Sequence, residues 1–166
     1  LDSDDLWCFN KLESQIRFMI DKEITFSYTA YNFITENNQI LNKYVKAKYK
    51  INYFDLLKSN NIGCLTVIYD AEKINKNQKI YMSTIRSRQD LSLWLKILKN
   101  INYAYGLDEI LSTYRIRTKS ISSNKIKAIY YQWKLYRNIE KFSFTKSIYF
   151  LIFYLYFGTI KYFKQL

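Results

Sequence analysis

The spacing of apolar residues changes along the chain, and this change constrains the fold more than any other feature. In the first part, helical spacing at about residues 8–22 and 90–99 is interleaved with the alternating apolar and polar residues typical of strands. From residue 123 onward the spacing is helical throughout. The sequence therefore predicts an α/β domain over 1–122, followed by a helical extension over 123–166.

The same patterns predict which face of the first helix is buried and where the other elements lie. In that helix we expect Leu12, Ile16, Met19 and Ile20 to pack inward and the charged residues, including Lys11, to face solvent. The predicted strands are a half-buried strand over 24–30, an edge strand over 45–49, a strand over 65–69, and strands over 103–105 and 110–117 separated by a turn at Gly106. Between them we expect a turn over 36–39, a helix over 53–58 capped by Asn52 and a loop over 71–85. The second helix should bury an apolar face of Leu91, Trp94, Leu95 and Leu98, and further helices are predicted over 123–139 and 144–164.

Several catalytic classes are excluded because the chain has no histidine and three widely spaced glycines. Without histidine it cannot build a Ser-His-Asp or Cys-His nucleophile, or a zinc site with histidine ligands. Gly63, Gly106 and Gly158 are too far apart for a dinucleotide fingerprint or a P-loop. Cys8 and Cys64 form no CxxC pair, which is typical of a protein from a reducing cytoplasm. We expect any bound metal to be held by oxygen ligands, as Mg²⁺ and Mn²⁺ are.

Charge is distributed unevenly over the chain. The 26 Lys and Arg residues outnumber the 14 Asp and Glu residues, giving a formal net charge of +12. Residues 1–42 nevertheless contain seven acids and three bases, whereas residues 125–166 contain eight bases and one acid. An acidic start on a basic body indicates a cation site near the beginning and an anionic partner elsewhere.

The opening residues place Asp2, Asp4 and Asp5 within four positions. In an extended chain Asp2 and Asp4 point to the same side. Two such carboxylates repel each other, and a divalent cation between them reverses that repulsion. The alternative is a frayed acidic terminus that supplies one helix cap.

A second candidate cluster opens the helix that contains Trp94. Arg86, Arg88 and Asp90 lie at its first turn, where the helix dipole and the two guanidinium groups favour an ionised carboxylate. Such a carboxylate could accept a proton from a sugar hydroxyl while the arginines hold a phosphate. The alternative is an ordinary N-cap aspartate on a solvated helix.

A third candidate is a cationic strip over residues 114–120. Arg115 and Arg117 share one face of the predicted strand, and Lys119 continues it. The strip could contact a diphosphate, or it could be a solvated edge whose charges block strand pairing.

A fourth candidate is the uncharged segment 148–160, which Lys146 and Lys161 bracket. It is too short to span a bilayer. The helix over 146–164 could lie in a membrane interface beside anionic headgroups, or it could pack onto the domain.

Several of these segments, in this order, resemble bacterial family 2 glycosyltransferases of the GT-A fold. The opening segment and the start of the first helix resemble the family's Asp-x-Asp segment and the helix after it. Later segments resemble its acidic-pair-to-Trp-Leu helix and the parts that follow. The matching residues are Leu1-Asp2-Ser3-Asp4-Asp5-Leu6-Trp7, Lys11-Leu12-Glu13, Arg88-Gln89-Asp90-Leu91-Ser92-Leu93-Trp94-Leu95-Lys96, Tyr114-Arg115-Ile116-Arg117, Ser120-Ile121-Ser122 and Gln132-Trp133-Lys134-Leu135-Tyr136-Arg137.

The resemblance implies a metal site and a catalytic base. In the family the Asp-x-Asp carboxylates hold Mn²⁺ or Mg²⁺ against the nucleotide-sugar diphosphate, which assigns Asp2 and Asp4, with Asp4 the preferred direct ligand. The later aspartate is the base of inverting members, which assigns Asp90. The implied fold is a GT-A-type mixed sheet with flanking helices.

Contacts with the substrates are expected from Asp5, Arg88, Gln89, Arg115 and Arg117. The implied activity is transfer of a sugar from a nucleotide-sugar donor to a saccharide or polyprenyl-linked acceptor, in cell-surface polysaccharide biosynthesis. The expected location is the cytoplasm, at the inner face of the cytoplasmic membrane. The alternative is a non-catalytic basic and aromatic module that binds nucleic acid or an anionic membrane. No nucleic acid is expected as a partner, because the chain has no zinc-finger, RNP or helix-turn-helix signature.

The sequence departs from the family pattern in several places. Gln89 and Ser92 stand where the family often has Glu and Asp, and Arg117 stands where related segments have His. The Gln132-Trp133 segment is not the Gln-x-x-Arg-Trp motif of processive synthases, so polymerisation is not expected. The family's N-terminal nucleotide-binding half is absent before Asp2. We therefore expect a truncated chain that is inactive alone and whose open apolar faces need a partner.

Overall fold

A computed structural model describes residues 1–74, 79–117 and 125–164, with the side chains of the last helix described to residue 160. The elements alternate between strands and helices up to residue 115 and are helical from residue 125. They are β1 (Leu6–Trp7), α1 (Lys11–Asp21), β2 (Phe26–Ile34), β3 (Ile40–Val45), β4 (Lys50–Ile51), α2 (Tyr53–Lys58), a 3₁₀ turn (Cys64–Thr66), β5 (Ile68–Tyr69), α3 (Ala71–Ile74), α4 (Gln89–Asn100), β6 (Ala104–Arg115), α5 (Lys125–Lys134), a π-helical segment (Leu135–Ile139) and α6 (Phe144–Lys164).

The strands form one mixed sheet in which β2 and β6 are the central pair. β2 runs parallel to β6, and it pairs antiparallel with β3 and β5. β6 also pairs antiparallel with β1 and β4. The predicted α/β class with a mixed sheet and flanking helices is confirmed.

The core lies between this sheet and helices α2 and α4. The Phe26 and Trp94 rings approach with their centroids 5.4 Å apart. The predicted apolar face of α4 is buried, from Leu91 to Leu98. Residues 26–30 of β2 are all buried, because this strand is covered on both faces. The expectation of a half-buried strand over 24–30 was therefore wrong for residues 26–30.

The helical extension packs onto the same core. Leu135, Tyr136 and Phe150 belong to the hydrophobic cluster formed by the sheet and α4. The Tyr136 hydroxyl donates a hydrogen bond to the Leu57 carbonyl at 2.6 Å. The predicted boundary between residues 122 and 123 falls outside the described residues.

A second polar contact ties the extension to the core at Glu140, whose carboxylate is buried. It forms an ion pair with Lys99 over 2.7 Å and accepts a hydrogen bond from the Tyr53 hydroxyl. Burial and this bond together raise the pKa of Tyr53.

Several element boundaries differ from the sequence prediction. The 36–39 turn joins β2 to β3, and the helix over 53–58 has the predicted Asn52 cap, with Asp55 completing a capping box. The strand predicted over 45–49 is displaced: β3 ends at Val45 and β4 begins at Lys50. The strand predicted over 65–69 is divided into the 3₁₀ turn and β5, and the loop predicted over 71–85 contains α3. The helix predicted over 123–139 becomes π-helical from Leu135, and its first two residues lie outside the described part.

The buried face of α1 differs from the predicted one, and of the four apolar residues expected to pack inward only Met19 is buried. Lys11 and Gln15 are buried, whereas Leu12, Ile16 and Ile20 are exposed. The reason is a buried polar network. The Gln15 amide accepts from the Lys11 ammonium at 2.7 Å and donates to the Ser27 hydroxyl at 2.9 Å.

Gly106 lies within a continuous strand, near its beginning, rather than in a turn between two strands. β6 runs unbroken from Ala104 to Arg115. A Cβ atom at Gly106 would lie 2.2 Å from the Lys48 carbonyl oxygen and 3.0 Å from the Ala47 Cβ. The glycine is needed because another backbone segment passes directly over it.

Replacing Gly106 by alanine should destabilise the fold, because the neighbouring atom is backbone and cannot rotate away. We expect Gly106→Ala to lose about 3 kcal/mol of unfolding free energy in urea denaturation. Gly158→Ala is the matched control, since a Cβ there meets nothing within 4 Å. On helix α6 that change should stabilise by about 0.5–1 kcal/mol. Equal effects at the two glycines would contradict the close approach at Gly106.

Lys11 gives a pH-dependent test of the buried face of α1. Burial lowers the pKa of its ammonium to about 8, so above that pH the unfolded chain holds a proton that the folded chain has lost. The stability of the fold therefore rises by about 1 kcal/mol between pH 8 and 9 from this group alone. The unfolding free energy of the parent minus that of Lys11→Met should rise by this amount over the interval, in urea titrations. Parallel pH dependence in both proteins would place the ammonium in solvent.

Candidate functional site

The opening acidic residues form a turn and not the extended segment that the sequence suggested. The Asp5 N–H donates a hydrogen bond to the Asp2 carbonyl at 3.2 Å. Directly after this turn, β1 pairs with the end of β6, so that Leu6 lies opposite Thr113. The sheet therefore holds the acidic turn beside the last residues of β6.

Asp5 is buried and fixes the turn from within. One of its carboxylate oxygens accepts a hydrogen bond from the Arg115 backbone N–H at 3.0 Å. Burial is the main cause that raises the pKa of Asp5, and the charges of Asp4 and Asp2 add to it, while the hydrogen bond from the Arg115 N–H opposes it. The Asp5 carboxylate thus binds the backbone of Arg115, whereas the carboxylates of Asp2 and Asp4 lie nearer to solvent.

Two arginines from the end of β6 bind the acidic turn. The Arg115 guanidinium donates to the Asp4 carbonyl at 2.9 Å and to the Thr35 carbonyl and the Asn38 side chain of the β2–β3 turn. Arg117 pairs with the Asp4 carboxylate over 2.7 Å. The structure therefore brings together the acidic turn and the cationic strip, which the sequence singled out as separate candidates.

A cavity of about 440 Å³ lies beside this cluster. Its lining residues are Glu36, Asn38, Arg115 and Arg117. The two guanidinium groups make its wall suited to an anionic group such as a phosphate. Lys119, predicted to extend the strip, lies outside the described residues.

Asp90 lies half-buried in the first turn of α4, after a strained residue. Arg88, which precedes the helix, has a left-handed backbone with φ of 68°, a conformation costing about 1–3 kcal/mol outside glycine. Its guanidinium donates to the Tyr154 hydroxyl of α6 at 2.5 Å and lies over that ring. Gln89 is exposed at the same turn. Arg88 therefore contacts α6, contrary to the expectation that it flanks the Asp90 carboxylate.

Cys64 belongs to the 3₁₀ turn, and charges from both the acidic turn and Asp90 act on its thiol. Burial is the main cause that raises the pKa of the Cys64 thiol, and the negative charges of Asp90, Asp2 and Asp5 raise it further. The 3₁₀ turn is tied to β1 next to Cys64, because the Leu65 carbonyl accepts a hydrogen bond from the Trp7 indole at 2.6 Å. The charges of Asp90 and of the acidic turn thus both act on the Cys64 thiol.

The carboxylates of the acidic turn suit a metal ion whose remaining ligands would come from a substrate. Within the described residues there is no group of three or more His, Cys, Asp or Glu side chains that could hold a metal. Mg²⁺ is commonly bound by one or two carboxylates together with substrate phosphates. Asp2 and Asp4 would supply such a pair of oxygen donors, and a metal at Asp4 would have to compete with the Arg117 ion pair.

Sequence reasoning missed Cys64 and Tyr154. Both are placed by contacts between segments far apart in sequence: Trp7 with Leu65, and Arg88 with Tyr154. Nothing in the local pattern around either residue indicated these contacts. The aromatic content of 144–164 was the one available signal for Tyr154.

Comparisons with known proteins bear directly on this site. The chain is 44% identical over 147 residues to TuaG of Bacillus subtilis, named as a teichuronic acid biosynthesis glycosyltransferase. It is 41% identical over 162 residues to Escherichia coli WfgD, named as a UDP-Glc:alpha-D-GlcNAc-diphosphoundecaprenol beta-1,3-glucosyltransferase. These matches cover 89% and 97% of the chain. The chain is homologous to glycosyltransferases.

The relatives are longer than this chain, which spans 57% of TuaG and 61% of WfgD. No protein-family profile matches the chain. Among solved structures, S. aureus TarS 1-349 superposes with a TM-score of 0.53 over 93% of this chain and 44% of that one, at 14% identity, which shows a shared fold. The homology favours the glycosyltransferase interpretation of the sequence over a non-catalytic binding module.

Proposed function

We propose that this chain is the metal-binding and acceptor-activating part of a family 2 glycosyltransferase. The enzyme transfers a sugar from a nucleotide-sugar donor to a saccharide or polyprenyl-linked acceptor in cell-surface polysaccharide biosynthesis, at the inner face of the cytoplasmic membrane. The observation that supports this best is the cluster of Asp4, Arg115 and Arg117 beside a cavity suited to phosphate, and the charges of Asp90 and the acidic turn both act on the Cys64 thiol. One bound sugar can touch both a metal-held diphosphate and a base only if the two lie on the same side.

Asp90 is the proposed general base. It accepts the proton of the acceptor hydroxyl as that oxygen attacks the anomeric carbon, and the bond to the nucleoside diphosphate breaks on the opposite side. Attack opposite the leaving group inverts the anomeric centre. A base in this role contributes about 10²–10⁴ in rate.

Asp2 and Asp4 are the proposed ligands of Mn²⁺ or Mg²⁺. When bound, the ion supplies Lewis-acid stabilisation of the departing diphosphate. Arg117 lies 2.7 Å from Asp4 and lines the neighbouring cavity with Arg115. These guanidinium groups are proposed to bind phosphate oxygens of the donor, while Asp5 positions the turn that carries both metal ligands.

Arg88 and Gln89, which precede Asp90 in the chain, are the proposed acceptor contacts. The Arg88 Nε–H is buried and, in the described part of the chain, has no hydrogen-bond partner. A buried donor without a partner costs about 1–3 kcal/mol, which an acceptor oxygen would recover. Gln89 is exposed one residue before the base.

We further propose that turnover needs protein beyond these 166 residues. The support is the exposed apolar face of α1, formed by Leu12, Ile16 and Ile20. An apolar helix face of this kind is normally covered. The extra length of the glycosyltransferase relatives is consistent with such a cover.

Replacing the proposed base tests the mechanism. A chimera in which this chain replaces the aligned part of WfgD should transfer glucose from UDP-Glc to GlcNAc-diphosphoundecaprenol, the substrates in the relative's name. Asp90→Asn should lower kcat by about 10³, because the proton acceptor is lost while the shape is kept. Radiolabelled glucose transfer measures the rate.

The controls separate the base from a general loss of structure. Asp21→Asn, on the exposed end of α1, should leave kcat unchanged. EDTA should abolish transfer in the chimera, and Mn²⁺ or Mg²⁺ should restore it. An Asp90→Asn chimera as fast as its parent would remove Asp90 from the reaction, and full activity in EDTA would remove the metal.

A further inference from the structure

Helix α6 packs one face onto the domain and leaves the opposite face apolar and exposed. Phe150 and Ser147 are buried against the core. On the other side Ile148, Ile152 and Tyr156 follow one another at helical spacing and are exposed, at 60% for Ile152 and 59% for Tyr156. We call this face, with its flanking members Tyr149 and Leu155, the α6 stripe.

The α6 stripe contains no charged residue. Within residues 1–74, 79–117 and 125–164, no helix has the length and apolar character that a membrane span requires. A helix with one apolar face and aromatic residues instead suits the plane of a membrane interface. Tyr149 and Tyr156 each combine an apolar ring with a polar hydroxyl, as residues at such interfaces commonly do.

The segment that leads into the stripe is rich in basic residues, which suits an anionic surface. Between residues 125 and 160 the bases are Lys125, Lys127, Lys134, Arg137, Lys141 and Lys146, and the single acid is Glu140. The Glu140 carboxylate is buried and paired with Lys99, so it presents no negative charge outward. Each basic residue near an anionic membrane contributes about 1 kcal/mol of attraction.

The apolar surface continues beyond α6 onto α5. Ile126 and Tyr130 are exposed one turn apart on α5. The Trp133 ring of α5 meets the Phe144 ring, exposed at the start of α6, with centroids 5.6 Å apart. The exposed apolar residues therefore belong to two helices that contact each other.

We propose that the α6 stripe docks on the surface of a bilayer containing anionic phospholipid, with the basic residues of 125–146 beside the headgroups. The helix lies parallel to the membrane, and its buried face keeps the domain attached. This contact is independent of the sugar-transfer activity proposed above.

Vesicle flotation tests the proposal. The 166-residue chain should bind vesicles of phosphatidylcholine with phosphatidylglycerol and should bind pure phosphatidylcholine vesicles far more weakly. Ile152→Asp with Tyr156→Asp should lower the apparent affinity by about tenfold or more, because the apolar contact is lost. The matched control, Leu12→Asp with Ile20→Asp, makes the same charge change on the exposed face of α1 and should bind like the parent.

A second measurement does not depend on the double aspartate variant folding. In a Cys8→Ser, Cys64→Ser background, a polarity-sensitive dye at Ile152→Cys should shift to the blue when anionic vesicles are added, and the same dye at Ile20→Cys should not. Unchanged binding in the stripe variant, or equal dye shifts at both positions, would overturn the proposal. So would light scattering that shows the parent to be a dimer and the stripe variant a monomer, because a second copy would then cover this face.

Discussion

Arg115 joins three segments that are far apart in sequence, and the candidate site depends on this junction. Its backbone N–H bonds the buried Asp5, and its guanidinium bonds the Asp4 carbonyl and the β2–β3 turn. Hydrogen bonds of this kind with a charged partner contribute about 1.5–3 kcal/mol each. They fix the acidic turn at the end of β6, where Arg117 can reach Asp4. The sheet itself makes this possible, because β6 lies between β1 and β2.

Local patterns predicted the elements whose stability is local. The Asn52 cap needs only Asp55, three residues on, and the buried face of α4 follows from its own spacing. The α1 face was wrong because Gln15 bonds Ser27 and the Thr66 carbonyl, partners that come from other elements. Gly106 was misinterpreted for a similar reason: its neighbour is the Lys48 carbonyl, which the β6 sequence does not reveal.

In the candidate site too, local sequence indicated the residue types, and long-range contacts determined how they are arranged. The residue types and their order indicated Asp2, Asp4 and Asp90, and homology to glycosyltransferases agrees with the activity they imply. Their spatial relation could not be read from the sequence, since Asp90 lies more than 80 residues from the acidic turn. Arg88 shows the limit of spacing arguments. It lies two residues from Asp90 and yet contacts Tyr154, because its left-handed backbone turns it toward α6.

The pKa of the Cys64 thiol, measured by the pH dependence of its alkylation in a Cys8→Ser background, tests most directly whether the two carboxylate sites share one space. The account predicts a thiol pKa above the ordinary value, lowered by Asp90→Asn and also by Asp2→Asn, and unaffected by Asp21→Asn. A thiol pKa that neither replacement changes would place Asp90 and the acidic turn too far apart to act on one bound sugar.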